Sequence, residues 1–393
     1  MMMQILFSVG EFLTWPWDTA ATDVMAIALP LKPGFHGQAR NRGVEIMNRV
    51  LRVFRVIVSV PFLITGGILG APIRCIANHR LRREGIMIMP PSPTPFIEIQ
   101  RLSIMTFNTA LMPAFISKRN TLQSWRKRVA DLAHQICTRG DDIVVLQEVF
   151  DAVAERTLIR ALRPTYPYMV RKAGYRWCTL NSGLMIASKF PLRNPVFVRH
   201  PVTGGADRMA NKGVLIAEVV LDEKRSIIVS NTHLNGGSAY PPGNILRAKQ
   251  LQHMHECVSN YKAAGGTVVG VFACGDYNIG QCEGNGASNA EWEQNQELLN
   301  GAVYTNGVAP AEQDQGSIFE INDPQVGWSP DVDRWQVTKE RADHILLATT
   351  YPTVRPESIQ VDRMNGTSDH LAVRGRYLFG GASPDPSPLW STS

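Results

Sequence analysis

The sequence lacks paired cysteines. Its six cysteines stand at positions 75, 137, 178, 257, 274 and 282, and none forms a CxxC pair or has zinc-finger spacing to a histidine. Isolated cysteines are typical of free thiols in a reducing compartment. No secretory signal is apparent, because the apolar start Met1–Phe7 has no basic segment and no small-residue cleavage site. We therefore expect the globular part to lie in a reducing, cytoplasmic compartment.

Internal repeats are also absent, and so is any composition typical of wholesale disorder. Hydrophobic residues make up 44% of the 393 residues and charged residues 19%, which indicates a globular protein. This length suffices for two domains or for one large domain with an appendage. The net charge of +6 fits a polyanionic partner, which could be nucleic acid or the headgroups of an anionic membrane.

No uninterrupted apolar run is long enough for a straight membrane span. The longest candidate, Val56–Ile73, has no charged residue but is interrupted by prolines and glycines. A spanning helix needs about 20 apolar residues, with about 17 as the lower limit. The pattern therefore favours a broken or re-entrant membrane-associating segment, and the arginines on both sides suit anionic lipids. The alternative is a hairpin buried against the rest of the protein.

Three parts follow from these patterns. Residues 1–100 form an apolar and basic membrane-associating region that ends in the proline-rich linker Met89–Pro95. Residues 101–378 form the globular domain, and residues 379–393 a disordered tail. Ten Lys/Arg and six Asp/Glu in the first part carry +4 of the net charge of +6, which leaves +2 for the remainder.

Short apolar runs alternate with amphipathic segments after the linker. The spacing of apolar residues predicts helices over Thr121–Cys137 and Asn244–Tyr261. The predicted strands are Leu102–Phe107, Ile143–Leu146, Gly183–Ala187, Val214–Leu221, Ser226–Ser230, Thr267–Ala273, His344–Ala348 and Leu371–Tyr377. Many short strands with few helices predict an α+β fold in which two sheets pack together with helices outside.

Polar residues stand at the ends of five of these strands. They are Asn108, then Gln147 and Glu148, then Asn231, Thr232 and His233, then Asp276 and Asn278, and finally Asp369 and His370. A single polar residue at such a position usually caps a turn. Five together are poorly explained by chance, so we expect them to converge on one cleft if the strands end at one edge.

Hydrolysis of a phosphodiester is the chemistry that this set of side chains suits. Mg²⁺ needs few protein oxygen ligands, which Glu148 and Asn108 supply. His370, next to Asp369, is the best candidate for the base that activates water. His233 and Asn278 can donate hydrogen bonds to phosphate oxygens. No serine or cysteine nucleophile motif is present, so direct attack by water is the simplest route.

The ordered motifs resemble the endonuclease/exonuclease/phosphatase superfamily. They are TFN, LQEVF, NTHL, GDYN and SDH, and they extend over nearly all of residues 102–377. The resemblance implies a four-layered α/β sandwich, DNase I-like, in which Asn108 and Glu148 bind Mg²⁺ and Asp276 orients or activates the water. It also implies that His370, supported by Asp369, is the general acid or base, and that Asp343 can accept a hydrogen bond from its imidazole. Many members have an Asp-Tyr pair there, whereas this chain has His344 after Asp343.

Three stretches are similar to neutral sphingomyelinases. They are LQEVF with the amphipathic helix after it, NSGLMIASKFPL, and the loop Asp207–Val214 that contains Asn-Lys-Gly. The apolar N-terminal segment likewise resembles the anchor of the membrane-bound mammalian type. The resemblance implies hydrolysis of sphingomyelin to ceramide and phosphocholine. On this resemblance Lys212 is a cation at the mouth of the cleft, aimed at the phosphate; otherwise it is a solvated surface residue. Asp207, five residues earlier, could pair with Lys212 and hold it in place or away from the phosphate.

Other functions remain open at this point. A Mg²⁺-dependent DNA endonuclease is the main alternative, with an inositol-phosphate phosphatase after it, and both belong to the same superfamily. The compact basic group Arg171, Lys172 and Arg176 could touch DNA or face a membrane. A catalytically inactive lipid-binding module is a third alternative, against which the complete set of polar residues at strand ends argues.

Overall fold

The computed structural model describes most of the region after residue 98 and short pieces before it. The described residues are 50, 53–54, 57, 86–89, 99–112, 124–174, 181–236, 242–280, 289–299, 304–305, 319–321, 335–337, 342–348, 351 and 354–379. The predicted segment Val56–Ile73 except Ile57, the linker Met89–Pro95 except Met89, and the predicted tail except Phe379 are outside them. No helix in the described part combines the length and apolarity needed to cross a membrane.

The strands are β1 Ile86–Ile88, β2 Arg101–Leu111, β3 Ile143–Val149, β4 Tyr168–Arg171, β5 Met185–Ser188, β6 Leu192–Arg199, β7 Gly213–Val220, β8 Arg225–His233, β9 Thr267–Asp276, β10 Tyr304–Thr305, β11 Phe319–Ile321, β12 Trp335–Val337, β13 Asp343–Ala348, β14 Val354–Asp362 and β15 Ala372–Phe379. The helices are α1 Trp125–Arg139, α2 Ala152–Leu162, α3 Gly243–Ser259, α4 Ala290–Gln294 and α5 Gln296–Leu299. Short 3₁₀ turns cover Gly205–Met209 and Met364–Gly366.

Two sheets form the centre of the described domain. One has the strand order β1-β4-β5-β3-β2-β15-β14 and the other β10-β13-β9-β8-β7-β6, while β11 and β12 pair separately. Apolar side chains from both sheets form one core between them. A second core lies under α1 and α2, and a third lies under α3 and α4. The predicted α+β sandwich of two sheets with helices outside is therefore confirmed.

Parallel pairing brings the important strand ends to one edge. β2 runs parallel to β3, with Asn108 opposite Gln147, and β8 runs parallel to β9, with His233 opposite Asp276. Apolar strands with both faces covered are typical of parallel pairs, and Ile143–Leu146 is fully buried. The polar residue after each buried run therefore lies at the same edge of the sandwich.

Gly275 allows β8 and β9 to approach closely just before Asp276. Its φ is +152°, and a Cβ at this position would lie 2.1 Å from the carbonyl oxygen of Thr232. Only glycine fits such a contact without a backbone shift. The glycine of the GDYN motif therefore sets the spacing between His233 and Asp276.

Every strand and helix predicted after the linker is present, with ends displaced by a few residues. The longer strands missing from the sequence prediction are β6 and β14. Pro195 lies within β6 and Pro356 within β14, and each proline stands beside a register shift. Proline in a strand is typical of edges and bulges, and both strands lie at the edge of their sheet. Their prolines hid them from a pattern of alternating apolar residues.

Candidate active site

Five of the predicted side chains meet at the shared edge of the two sheets. They are Asn108, Glu148, His233, Asp276 and His370, here called the rim cluster. Asp276 is its centre: its Oδ2 atom accepts a hydrogen bond from Asn108 at 2.9 Å and lies 3.4 Å from Nε2 of His233. Nε2 of His370 lies 3.9 Å from the same oxygen. The sequence motifs thus come from four strands and one loop to a single group.

Asn108 joins the two carboxylates of the rim cluster. Its Nδ2 atom donates to Glu148 Oε1 at 3.2 Å and to Asp276 Oδ2 at 2.9 Å. Its Oδ1 atom accepts a hydrogen bond from the backbone N–H of Ala110 at 3.1 Å. The amide nitrogen, rather than the predicted ligand oxygen, therefore faces the carboxylates. For Asn108 to bind a cation through oxygen, its amide group must turn over.

Glu148 is an incompletely satisfied carboxylate. Its Oε2 atom is shielded from solvent and has no hydrogen-bond partner among the described residues. Desolvation, with the nearby charge of Asp369, raises the pKa of the Glu148 carboxyl to about 7. A buried acceptor without a donor is unusual in a folded protein. A cation at this position would supply the missing partner and favour the charged carboxylate.

Asp276 and His233 have opposite charge preferences. Burial alone would raise the pKa of Asp276, but His233, His370 and the Asn108 hydrogen bond outweigh it and lower that pKa below its ordinary value. Burial and the charge of Lys212 lower the pKa of His233 to about 4. At neutral pH Asp276 is therefore a carboxylate, and His233 is a neutral imidazole that can donate one hydrogen bond.

His370 is held by Asp343 from the neighbouring sheet. Its Nδ1 atom lies 2.8 Å from Asp343 Oδ2, as the family resemblance implies. Burial disfavours the imidazolium, but Asp343 and Asp276 outweigh burial and raise the pKa of His370 well above its ordinary value. Asp369, the predicted supporting residue, contacts the hydroxyl of Ser368 at 3.2 Å instead. Asp343 is therefore the direct partner of the imidazole. Its contact with Nδ1 of His370 leaves Nε2 of the same ring facing the site.

Lys212 lies behind the rim cluster rather than at its mouth. Its side chain is 1% exposed, so both the cleft-mouth position and the solvated alternative were wrong. The Nζ atom donates to the carbonyl oxygen of Leu234 at 2.6 Å and lies 3.3 Å from Asp207 Oδ1, which confirms the predicted pair. Asn278 donates to the same carbonyl at 3.1 Å. Lys212 therefore fixes the loop after β8.

His344, which stands where many family members have tyrosine, contacts the chain that follows β9. Its Nε2 atom lies 3.0 Å from the carbonyl oxygen of Ile279, and its ring packs beside Tyr277 and Trp292. Alternation along β13 places Asp343 and His344 on opposite faces of the strand. His344 therefore lies on the face of β13 opposite to Asp343, the partner of His370.

The backbone at this edge takes conformations that are rare for residues with a side chain. Glu148 has a φ of +58°, Asn278 of +50° and Ala110 of +47°. Each such residue costs about 1–3 kcal/mol and persists only where its surroundings impose it. Concentration of such residues beside Asn108 and Asp276 is typical of a functional site.

Arg128 is a supporting residue that the sequence prediction missed. It is buried on α1 and donates hydrogen bonds to the carbonyl oxygens of Thr109, Ala110 and Thr367. It thus ties the end of β2 to the loop that carries His370. The available signal was its position three residues after Trp125, which places a charge on the apolar face of the helix.

A second missed contact joins the two sheets beneath the site. Gln147 Nε2 donates to Asn231 Oδ1 at 2.9 Å, and Asn231 in turn donates to the carbonyl oxygen of Leu146 at 2.8 Å. Gln147 belongs to the LQEVF motif and Asn231 to the NTHL motif, and both side chains are fully buried. Their hydrogen bonds fix the relative position of Glu148 and His233.

The donor set fits a hard divalent cation. Glu148 offers an oxygen without a partner, and Asp276 offers a second carboxylate beside it, which are the ligand atoms that Mg²⁺ prefers. A second possible group consists of Asp276, Asp343 and His370, whose ligand atoms lie within 4.8 Å of one another. Asp343 of this group already engages His370 at 2.8 Å, whereas Oε2 of Glu148 has no partner among the described residues.

Comparison with protein families gives the class of protein. The model of the Endonuclease/Exonuclease/phosphatase family matches residues 105–370, which contain every member of the rim cluster. The match covers well over half of the chain. The chain therefore belongs to this family.

Named relatives point to one branch of the family. The chain is 32% identical over 161 residues to "Sphingomyelin phosphodiesterase 5" of Danio rerio, a match that covers 36% of this chain and 29% of that protein. It is 25% identical over 244 residues to "Sphingomyelinase C" of Bacillus cereus, a match that covers 57% of this chain and 71% of that protein. The matched part is thus less than a third of the zebrafish protein. The resemblance to sphingomyelinases is confirmed.

A solved structure shows the same fold. The crystal structure of sphingomyelinase C from Streptomyces griseocarneus superposes with a TM-score of 0.51 at 19% identity. The superposition covers 71% of this chain and 99% of that one. At this identity the likeness concerns the fold alone.

Proposed function

We propose that the chain is a Mg²⁺-dependent phosphodiesterase that hydrolyses sphingomyelin to ceramide and phosphocholine. The observation that carries the proposal is the convergence of the rim cluster on Asp276, with one oxygen of Glu148 left without a partner. Carboxylates, imidazoles and an amide in this arrangement suit attack of water on a phosphodiester.

Glu148 and Asn108 would hold the Mg²⁺ ion, with the Asn108 amide turned so that its oxygen faces the site. The bound ion would polarise a phosphoryl oxygen and stabilise the charge that develops on the leaving oxygen. Glu148 suits this position because its desolvated carboxyl has a raised pKa and an unpaired oxygen. Asp276, 2.9 Å from the Asn108 amide, adds negative charge beside the ion.

Proton transfer falls to Asp276 and His370. The surroundings move the pKa values of the two groups apart, so that at neutral pH Asp276 has lost its proton and His370 keeps one. Groups with separated pKa values are typical of an acid and base pair. Asp276 orients the attacking water and accepts its proton, and His370, held by Asp343 at 2.8 Å, donates a proton to the leaving oxygen.

His233 contacts the phosphate in the proposed mechanism. Its neutral ring can donate through Nε2, which faces the cluster. Asn278 and Lys212 act differently from the sequence prediction, because both already donate to the carbonyl oxygen of Leu234. We assign them to positioning the loop after β8, with the Lys212 charge stabilising the nearby carboxylates.

The choice of sphingomyelin rests on the sphingomyelinases among the relatives and on the arrangement of basic residues. Arg171 and Lys172 were candidates for a DNA contact. Their side chains are 12% and 3% exposed, and both lie near the carboxylate of Glu155. Arg171 and Lys172 are therefore not placed to contact DNA, and this part of the argument for a nuclease is lost. We further propose that residues 1–100 associate with anionic lipids and place the domain on a membrane in a reducing compartment.

A substrate panel tests the proposal. The full-length chain is incubated with sphingomyelin in mixed micelles, lysophospholipid, abasic duplex DNA or an inositol polyphosphate, each with Mg²⁺ and with EDTA. We expect phosphocholine release from sphingomyelin with Mg²⁺ alone. Cleavage of abasic DNA without release of phosphocholine would contradict the proposal and favour the nuclease alternative.

A further inference from the structure

The chain enters the seven-stranded sheet at the edge that carries the rim cluster, here called the rim edge. β4 runs parallel to β3, because both strands pair antiparallel with β5. β1 pairs antiparallel with β4, and its first residue, Ile86, lies opposite Arg171, the last residue of β4. The carboxyl ends of β3 and β4 point the same way, so Ile86 is the end of β1 nearer to the rim edge. Residues 1–85 therefore join the domain on this side.

Large apolar side chains are exposed on the same side of the domain. Val153, Met209 and Ile245 are 40%, 55% and 46% exposed. Among the described residues from 99 onward, these are the large hydrophobic side chains that are exposed. The turn at residues 222–224, which joins β7 to β8 at the opposite edge, holds none of them. Single exposed apolar residues are ordinary on a protein surface, whereas their confinement to one edge calls for a cause.

Each of the three side chains belongs to a segment that starts from the rim edge. Val153 lies in the first turn of α2, which follows directly after β3. Met209 ends the 3₁₀ turn before β7, and Asp207 of that turn accepts a hydrogen bond at 2.8 Å from a backbone N–H of the loop after β8. Ile245 lies in the first turn of α3, where Arg247 donates at 3.1 Å to a backbone carbonyl of the same loop.

An exposed cation accompanies each of these apolar side chains. The cations are Arg156, Arg208 and Lys249. Arg208 precedes Met209 in the chain, and the other two stand one helical turn after the apolar residues of α2 and α3. Apolar side chains that enter the headgroup region, with basic side chains at the level of the phosphates, are typical of proteins that lie on anionic bilayers. The edge therefore has the charge and the apolar contacts that such a bilayer complements.

A second apolar surface stands within residues 1–100. Val50, Val53, Phe54 and Ile57 have helical backbone, and all four side chains are exposed. Their spacing places them on one face of a helix. In the sequence, arginines at positions 49, 52 and 55 alternate with them. This composition is typical of a helix that lies in the headgroup region of a membrane, and the residues that contain it reach the domain at the rim edge.

We propose that the rim edge docks on an anionic phospholipid bilayer through a docking surface that consists of Val153, Met209 and Ile245 with Arg156, Arg208 and Lys249. The proposal rests on the phospholipid substrate proposed above and adds a membrane contact made by the catalytic domain itself. In this orientation the rim cluster faces the headgroups, and residues 1–85 join the domain on the membrane side. Both membrane contacts then hold the domain in one orientation.

Photocrosslinking from lipid to protein tests the orientation. The full-length chain is bound, in EDTA, to vesicles of phosphatidylcholine, sphingomyelin and phosphatidylserine, in which part of the phosphatidylcholine carries a photoreactive acyl chain. Mass spectrometry then identifies the crosslinked peptides. We expect adducts in the peptides that contain Met209 and Ile245 and none at residues 222–224. Adducts confined to residues 1–100, adducts at residues 222–224, or no adducts at all would overturn the docking surface.

Charge reversal measures the contribution of the cations. Lys249→Glu should weaken binding to the same vesicles about fivefold, because each basic residue near an anionic surface favours binding by a factor of this size. Lys224→Glu is the matched control, since Lys224 is exposed at the opposite edge, and it should bind as the parent does. Equal binding by the two variants would contradict a role of Lys249 in docking.

A double variant, Met209→Ser with Ile245→Ser, measures the apolar contacts. Turnover of sphingomyelin in vesicles should fall at least about tenfold, with a clearly smaller loss on a short-chain sphingomyelin that is monomeric in water. Equal losses on the two substrates would overturn a docking role. If the parent chain hydrolyses neither substrate, the proposed function fails, while the crosslinks still decide whether the rim edge faces the bilayer.

Discussion

Two groups of charged side chains in the same domain differ in how completely their charges are matched. The first is the rim cluster. The second, the arginine cluster, consists of Arg139, Arg374, Asp141 and Asp362 beside β14 and β15. Arg374 binds Asp141 through two nitrogens at 2.7 and 3.2 Å. Arg139 likewise binds Asp362 through two nitrogens, both at 2.9 Å.

The difference separates a structural group from a functional one. In the arginine cluster each carboxylate has a guanidinium partner, and paired charges of this kind need no further ligand. In the rim cluster Glu148 keeps an unpaired oxygen and an uncommon backbone conformation. Asp141 of the arginine cluster is as buried as Asp276, so burial of a carboxylate alone does not indicate a site. The deficit of positive charge beside Glu148 does.

Among the changes that test this difference, replacing Glu148 by glutamine should have the largest effect on turnover. We expect turnover to fall about a thousandfold, because the proposed cation loses its charged ligand. The free energy of unfolding should stay the same or rise, since the neutral amide is cheaper to bury than a carboxylate. Steady-state kinetics and thermal unfolding measure the two effects. A large loss of stability with retained turnover would assign Glu148 to the fold.

Asp343→Asn tests whether Asp343, rather than Asp369, supports His370. The variant replaces the charged acceptor by a neutral amide, which accepts more weakly from His370 Nδ1 and removes the negative charge beside the ring, so turnover should fall about a hundredfold. Because Asp343 raises the pKa of His370, the limb of the pH–rate profile that belongs to His370 should move to lower pH. Asp369→Asn is the matched control and should have the smaller effect, since Asp369 contacts Ser368 instead. Equal effects would restore Asp369 as the main support.

Arg128→Met tests the support of the rim from α1. The change leaves the carbonyl oxygens of Thr109, Ala110 and Thr367 without their buried donor. We expect the free energy of unfolding to fall by about 2 kcal/mol. Chemical denaturation measures it, with Arg126→Met, an exposed position on the same helix, as the control. Equal stability of the two variants would show that Arg128 does not stabilise the contact between β2 and the loop that carries His370.

Asp362→Asn should give the smallest effect and a defined pH dependence. Burial opposes ionisation, but the bonds from Arg139 outweigh it and lower the pKa of Asp362. The folded carboxyl therefore stabilises the protein above the ordinary pKa, and this contribution is lost as the pH falls through the folded pKa. Near neutral pH the variant should lose about 1 kcal/mol after solvent screening.

The difference between wild type and Asp362→Asn should disappear in acid, as measured by denaturation across pH. The exposed pair of Arg101 and Glu357 supplies the control, and Glu357→Gln should change little at any pH. Turnover should be unaffected by Asp362→Asn. A loss of turnover comparable to that of Glu148→Gln would remove the distinction between the two clusters.

The sequence predicts the rim cluster well because its members follow buried apolar runs. Asn108 lies at the register shift near the end of β2, Glu148 lies one residue before the end of β3, and Asp276 is the last residue of β9; parallel pairing then brings these strand ends together. The prediction depended on one rule, that buried strands of a sandwich end at a shared edge.

The positions of charged side chains could not be predicted in the same way. Lys212 is buried because two acceptors, from Leu234 and Asp207, happen to meet its ammonium group. Arg171 and Lys172 are turned inward because both pair with Glu155, which lies on α2, well before them in the chain. Such partners come from the tertiary fold, while a local pattern of charge suggests only solvent exposure.

Direct measurement of Mg²⁺ binding tests the central claim, that the unmatched charge of the rim cluster is a cation site. Isothermal titration calorimetry would compare the wild-type chain with Glu148→Gln and Asp362→Asn. We predict that wild type and Asp362→Asn bind Mg²⁺ with similar affinity and that Glu148→Gln has lost this binding. Binding that is unchanged in Glu148→Gln, or absent from the wild type, would contradict the account.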